Sequence, residues 1–235
     1  MGVRDFDFGS IHLPNLRTLH LRKAIFNKRE DFNKILSGCP NLVDLYAPVL
    51  FVDYNYIRGY ATLPMLEKAC FHALDVPFTT IYNVEFLRIE LMERRFIEKD
   101  LNSHFRGMLV LRNLISIELC FYIFTGWDDV VELLPYCPKL QSLVIERPHH
   151  DCQRYNKEKW AFTEPVPECF SLHLRTCSIQ NYQSRNDDFK FVEFILQNAS
   201  FLQVMTLHNE RYTKEDEKQA GFQTFIPLSE DLSGM

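Results

Sequence analysis

Seven cysteines and eight histidines are the residues of this chain best suited to nucleophilic or metal-binding chemistry. A thiolate beside a histidine base is a common covalent catalyst. In the repeated pattern described below, no histidine lies beside Cys70, and Pro48 and Glu90 flank His72. Three other cysteines occupy apolar positions of that pattern, where a thiol acts as a small buried hydrophobe; they are Cys39, Cys137 and Cys169. We therefore predict structural cysteines and no thiol catalysis.

The densest set of potential metal ligands is His149-His150-Asp151-Cys152. Adjacent side chains of an extended chain point to opposite faces, so four consecutive residues cannot all reach one ion. We interpret the segment as a solvated loop, and we predict no metal site.

Two pairs of carboxylates, Asp128-Asp129 and Asp187-Asp188, could in principle serve as acid and base. Both pairs begin a stretch with helical periodicity, where negative charge is favourable at the helix N-terminus. The sequence also contains no G-x-G-x-x-G, G-x-x-x-x-G-K-[ST], G-x-S-x-G or H-E-x-x-H motif. These observations predict a protein that is not an enzyme and that uses no cofactor.

A repeated pattern, L-x-x-L-x-L, organises the elements that carry these residues. It is clearest from Leu13 to Leu21 and from Leu111 to Leu119, and a copy opens with Cys at Cys137. The second apolar positions of eight copies are 16, 42, 66, 84, 114, 140, 169 and 202, and successive ones are 18 to 33 residues apart. Most spacings fall in or near the 20–29 residues of leucine-rich repeats. Alternation within each copy predicts a strand, and the intervening residues must supply the crossover between parallel strands.

Three intervals between the predicted strands have helical periodicity: Asp31 to Gly38, Asp128 to Tyr136 and Asp187 to Asn198. The fold predicted is therefore α/β, an irregular leucine-rich-repeat solenoid with a curved parallel sheet and helices on the convex side. We expect Trp127 and Trp160 to pack as core or edge residues.

The concave face of such a sheet is open, and residues at alternate strand positions would line it. Aromatic and arginine residues are the usual anchors of protein interfaces. On this basis the candidate protein-binding residues are Tyr46, Phe86, Arg88, Glu118, His173 and Arg175. They predict a protein target on the concave sheet face.

Composition limits the other partners. The 235 residues carry a formal charge of −5, with 46% hydrophobic residues. An acidic chain is not drawn to phosphate backbones, so we expect no nucleic-acid partner. No apolar run reaches the length of a membrane span, and no secretory signal opens the sequence, so we expect no membrane partner and a cytoplasmic or nuclear location.

Two stretches resemble a known family. H-L-P-N-L-R-T-L-H-L at 12–21 and L-S-G-C-P-N-L-V-D-L at 36–45 are similar to the leucine-rich region of plant F-box/FBD/LRR-repeat proteins. Trp160, Pro165-Val166-Pro167-Glu168-Cys169, Leu172-His173-Leu174 and the stretch 191–207 resemble the FBD module of the same family. The resemblance divides the chain into a leucine-rich repeat region, 1–150, and an FBD-like C-terminal module, 151–235, that continues the solenoid.

The resemblance implies a substrate-recruiting subunit of an SCF-type ubiquitin ligase, with no catalysis of its own. In that family an F-box segment docks on Skp1 and thereby on Cullin, while the repeats hold the target. The sequence contains no F-box segment, so Skp1 and Cullin are expected partners only if one lies upstream. The expectation is a fragment, a truncated gene copy or a complete product without the adaptor-binding end. The alternative is a leucine-rich interaction scaffold or decoy that is not connected to ubiquitin ligation.

Overall fold

The computed structural model describes residues 11–51, 60–72, 80–91, 110–122, 126–148 and 166–209. Within them, eight parallel strands form one sheet in which neighbours follow the order of the chain. The strands are β1 (Thr18–His20), β3 (Asp44–Ala47), β5 (Lys68–His72), β6 (Phe86–Leu91), β7 (Ser116–Phe121), β8 (Ser142–Glu146), β9 (Thr176–Gln180) and β10 (Val204–His208). A second, two-stranded parallel sheet, which the repeat pattern did not predict, pairs β2 (Ile25–Phe26) with β4 (Leu50–Phe51).

The helices lie between strands, as a parallel sheet requires. They are α1 (Arg29–Ser37), α2 (Asp128–Leu133), which continues as a 3₁₀ turn (Leu134–Tyr136), α3 (Glu168–Leu172) and α4 (Asn186–Asn198). The three helices expected from periodicity are thus confirmed, and each begins within two residues of its predicted start. The short α3 is additional.

A backbone hydrogen-bond motif fixes the register at the start of each main-sheet strand. The carbonyl oxygen of Arg17 accepts from the amides of both Val43 and Asp44, and the carbonyl of Val43 accepts from Glu67 and Lys68 in the same way. The arrangement recurs up to the carbonyl of Arg175, which accepts from Gln203 and Val204. Each main-sheet strand after β1 therefore begins with the same pair of backbone hydrogen bonds to the preceding repeat, whatever the length of the crossover before it.

The core lies on the face of the sheet that meets the helices. Alternate strand residues such as Leu45, Ile117 and Ile179 are fully buried there, in one cluster with Phe32 of α1 and Phe191 of α4. Cys39, Cys137 and Cys169 are also fully buried, as predicted. The architecture confirms an irregular α/β leucine-rich-repeat fold. Among the helices of the described ranges, none is long and apolar enough to cross a membrane.

The predicted register of the seventh repeat is wrong. The repeat was expected to begin at Cys169, with Leu172 and Leu174 facing the core. Instead Cys169 and Leu172 belong to α3, and Leu172 is half exposed. The strand follows Leu174, and Cys177 and Ile179 supply its buried positions. The segment Leu174-x-x-Cys177-x-Ile179 is thus the true copy of the repeat.

Candidate functional site

The face of the main sheet opposite the helices is formed by alternate residues of every strand, and we call it the open face. Cross-strand pairing aligns them in rows. The central rows contain Lys68, Phe86, Ser116 and Ser142, then Cys70, Arg88, Glu118 and Val144, then His72, Glu90, Cys120 and Glu146.

Arg88 lies at the centre of the open face and contacts three carboxylates. Its Nη1 donates a hydrogen bond to Glu118 Oε1, and its Nη2 donates to Glu146 Oε2 at 3.4 Å. Its Nε is 3.7 Å from Glu90 Oε1. Burial by itself would lower the pKa of Arg88, but the hydrogen bond to Glu118 and the nearby negative charge raise it above the ordinary arginine value. The guanidinium therefore stays charged, and it bridges strands β6, β7 and β8.

Two buried thiols flank this charge cluster. The Cys120 thiol donates to Glu146 Oε2 at 3.2 Å. Burial raises the pKa of Cys120, and the hydrogen bond to Glu146 raises it further. Burial, with the charge of Glu90, also raises the pKa of Cys70 to about 12. Both groups are therefore neutral thiols at physiological pH, which does not suit a nucleophile.

His72 is buried against Glu90. Its Nδ1 lies 3.7 Å from Glu90 Oε2, beyond hydrogen-bond distance, and Nδ1 has no hydrogen-bond partner among the described residues. Burial lowers the pKa of His72 below the ordinary histidine value, although Glu90 opposes the shift. The imidazole is therefore neutral near pH 7 and adds no positive charge beside Glu90, whose cationic contact is Arg88.

The four predicted binding residues on strands β3, β6 and β7 lie on the open face. Tyr46 packs edge-on against His20, with ring centroids 5.8 Å apart, and the Arg22 guanidinium lies 5.5 Å from its ring centroid. Phe86 is 43% exposed, and Lys68 Nζ lies 5.6 Å from its ring centroid. Arg88 and Glu118 contact each other directly. Whether they bind a protein stays a prediction.

His173 and Arg175 were assigned to the open-face rows by the same reasoning, and that placement is wrong. His173 is the C-cap residue after α3. Arg175 precedes β9, and its carbonyl accepts hydrogen bonds from the amides of Gln203 and Val204 in the next repeat. Because the repeat begins at Leu174, the open-face residues of β9 are Thr176, Ser178 and Gln180.

A buried polar network behind the sheet was not predicted from the sequence. Asp188 Oδ1 accepts from Arg147 Nη1 at 2.7 Å and from Trp127 Nε1 at 3.1 Å, and its Oδ2 accepts from the amide of Arg185 at 3.2 Å. All three of Trp127, Arg147 and Asp188 are at most 3% exposed. Trp127 also stacks on Phe191 with centroids 3.9 Å apart. The network joins α2 and β8 to the start of α4.

Alignment of equivalent positions in successive repeats could have predicted this network. Pairing of Cys120 with Glu146 and Gln180 makes Phe121, Arg147 and Asn181 equivalent. Phe121 is buried at this inward-facing position. The arginine at the equivalent position of the next repeat, Arg147, should therefore be buried as well and should need a buried partner of opposite charge. Asp188, interpreted from sequence as a charge at a helix N-terminus, is that partner as well as a cap of α4.

The residues that the structure describes give little support to thiol catalysis or to metal binding. His149-His150-Asp151-Cys152 and Trp160 lie outside them. Within the described ranges no cysteine donates to a histidine, and one trio, Glu118, Cys120 and Glu146, has ligand atoms within 4.8 Å of one another. Arg88 already contacts both of these carboxylates and the Cys120 thiol is protonated, which does not favour a metal ion at this trio.

Comparisons with known proteins agree with this architecture. A family model described as FBD matches residues 163–207, and one described as Leucine Rich Repeat matches residues 15–40. An FBD-associated F-box protein of Arabidopsis thaliana is 25% identical over 82% of this chain. Two F-box/FBD/LRR-repeat proteins of the same plant are 24% and 25% identical over 83% and 97% of it. The chain is similar to the plant F-box/FBD/LRR-repeat proteins.

The family resemblance inferred from residues 12–45 and from the C-terminal third is therefore confirmed. The chain spans about half the length of these curated relatives, namely 53%, 57% and 50%. No solved structure matches the chain. The division at residue 150 stays a prediction, although β8 and β9 on either side of it pair directly in one sheet.

Proposed function

We propose that this chain is a non-catalytic recognition subunit that binds a protein target on the open face. The observation that carries the proposal is the contrast between the two faces of one sheet. Core-side strand residues are buried, whereas aromatic and charged residues such as Tyr46, Phe86 and Arg88 line the other side and keep part of their surface accessible. Rigid strands with exposed aromatic and arginine anchors are suited to protein recognition.

The proposal extends to ubiquitin ligation through the names of the relatives, which are F-box proteins. A cytoplasmic or nuclear location would suit this role. The link to Skp1 and Cullin requires an F-box segment in the same polypeptide. Mapping the 5′ end of the transcript decides this point. An in-frame F-box upstream would be followed by co-purification of Skp1. A transcript that starts at Met1, together with no Skp1 binding, would favour the scaffold or decoy alternative.

Photo-crosslinking from matched positions tests the binding face itself. A photoreactive phenylalanine analogue replaces either Phe86, on the open face, or Phe189, on α4, in the full chain expressed in plant cells. Their exposures, 43% and 57%, are comparable. The proposal expects a protein adduct at position 86 that is absent at 189. Adducts only from position 189 would refute binding on the open face.

A further inference from the structure

The open face carries an uncompensated negative charge at its centre. Glu90, Glu118 and Glu146 surround one guanidinium, that of Arg88. One positive and three negative formal charges leave an excess of two negative charges. Glu118 and Glu146 have side chains 34% and 37% exposed, so both carboxylates are accessible from solvent.

The neighbouring polar groups do not cancel this excess. His72 is 8% exposed and faces Glu90, yet its Nδ1 has no hydrogen-bond partner among the described residues. Cys70 and Cys120 are buried thiols that lie opposite Arg88 and Glu90, respectively, on the neighbouring strands. Lys68 is directed toward the ring of Phe86. The three carboxylates of the cluster therefore carry more negative charge than the single guanidinium of Arg88 can neutralise.

We propose that this cluster, Arg88 with Glu90, Glu118 and Glu146, binds an arginine or lysine side chain of the protein target. The inference rests on the proposed function and names the chemistry of its partner. An incoming guanidinium or ammonium would lie between Glu118 and Glu146, beside Arg88, and would lower the excess charge from two to one. Charge-assisted hydrogen bonds to carboxylates are the strong ones at interfaces. Phe86, in the adjacent row, offers an apolar surface for the stem of such a side chain.

Selection of peptides on the full chain tests the inference. A random peptide library displayed on its own mRNA is selected against the wild-type chain. The enriched peptides are then crosslinked to the chain that carries the photoreactive analogue at position 86. The expected result is an enrichment of arginine and lysine in the crosslinked peptides. For the best peptide, the double variant E118Q/E146Q should weaken binding about 10-fold or more, because it removes two partly exposed charged acceptors.

Two further variants separate charge from folding. D187N/E193Q makes the same change in net charge on α4 and should leave the affinity within about twofold, since these charges lie away from the open face and are screened. R88Q increases the negative excess and should preserve or tighten binding of the basic peptide. A loss in R88Q as large as that in E118Q/E146Q, with native circular dichroism in both, would overturn the inference.

The remaining outcomes distinguish the two proposals. Peptides that crosslink at position 86 without an excess of arginine or lysine would overturn the cation site and leave open-face recognition intact. Selected peptides that crosslink only from position 189 would overturn both. Equal weakening by E118Q/E146Q and D187N/E193Q would show a general effect of net charge and would also overturn the cation site.

Discussion

The ion pair of Arg147 with Asp188 should be a major determinant of stability, and the substitution D188N tests this. The replacement keeps the shape of the side chain and removes its charge. Asp188 accepts three hydrogen bonds through two oxygens, from Arg147, Trp127 and the amide of Arg185. Asparagine has one acceptor oxygen, so at least one donor would face an NH₂ group. The Arg147 guanidinium, 3% exposed, would also lose the negative charge of Asp188, which it contacts at 2.7 Å.

The magnitude follows from the cost of removing one partner of a buried ion pair. Removing one partner of a buried pair destabilises a protein by about 3–5 kcal/mol. For a domain of this size each kcal/mol lowers Tm by about 2–4 °C, so D188N should lower it by about 6–20 °C. Urea unfolding followed by far-UV circular dichroism measures the free energy without depending on the tryptophans.

A neighbouring aspartate provides the control. Asp187 lies in the same first turn of α4, but its side chain is 44% exposed and its contact with Lys190 is 3.8 Å long. D187N should cost no more than about 1 kcal/mol, as expected of an exposed pair. The apolar double replacement R147M/D188L should recover much of the loss, because it removes both charges of the pair. Equal costs for D188N and D187N would refute the reasoning.

Three further outcomes follow from other buried groups. Because the pKa of His72 is lowered in the folded chain, the unfolded chain takes up its proton first as pH falls; stability should therefore drop below about pH 6.5 and level off under the folded pKa. H72Q should flatten urea midpoints between pH 7.5 and 5, whereas H12Q, at an exposed position, should not. G38A should cost about 1–3 kcal/mol in urea unfolding, because its Cβ would overlap the Ile11 carbonyl oxygen; a stability equal to wild type would contradict that close approach. Mass-spectrometric mapping after iodoacetamide at pH 8 should find the described cysteines unmodified until the chain unfolds, given their burial; they are Cys39, Cys70, Cys120, Cys137, Cys169 and Cys177.

Much of the fold was predictable because two periodicities alternate along the chain. Leucine positions spaced as in Leu16-x-x-Leu19-x-Leu21 mark strands, and the stripe of Phe32, Ile35 and Leu36 marks a helix. Burial requires both signals, so tertiary structure and local pattern agree. The Arg88–Glu118 neighbourhood also followed from the rows, since equal positions of adjacent parallel strands lie about 4.8 Å apart.

The seventh repeat shows where pattern alone was insufficient. Cys169, Leu172 and Leu174 have the same spacing as Leu174, Cys177 and Ile179. Apolar identity cannot choose between the two, because a spacing of three is also one helical turn. The backbone hydrogen bonds distinguish them. Only the second register places the carbonyl of Arg175 where it accepts from the amides of Gln203 and Val204 in the next repeat. Gly38 is similar: it ends α1 in a right-handed conformation, so its close approach to Ile11, invisible in the sequence, is what requires glycine there.

The two charged clusters of this chain illustrate how one residue pairing has different consequences on the two faces of a sheet. Behind the sheet, Arg147 and Asp188 are at most 3% exposed and their opposite charges contact each other at 2.7 Å, so the pair contributes to the stability of the fold. On the open face, Arg88 meets three carboxylates, and two of them retain about a third of their surface. Because desolvating an unbalanced cluster is costly unless a partner supplies the missing charge, a basic side chain of a target would be selected over a neutral one at this point of the open face.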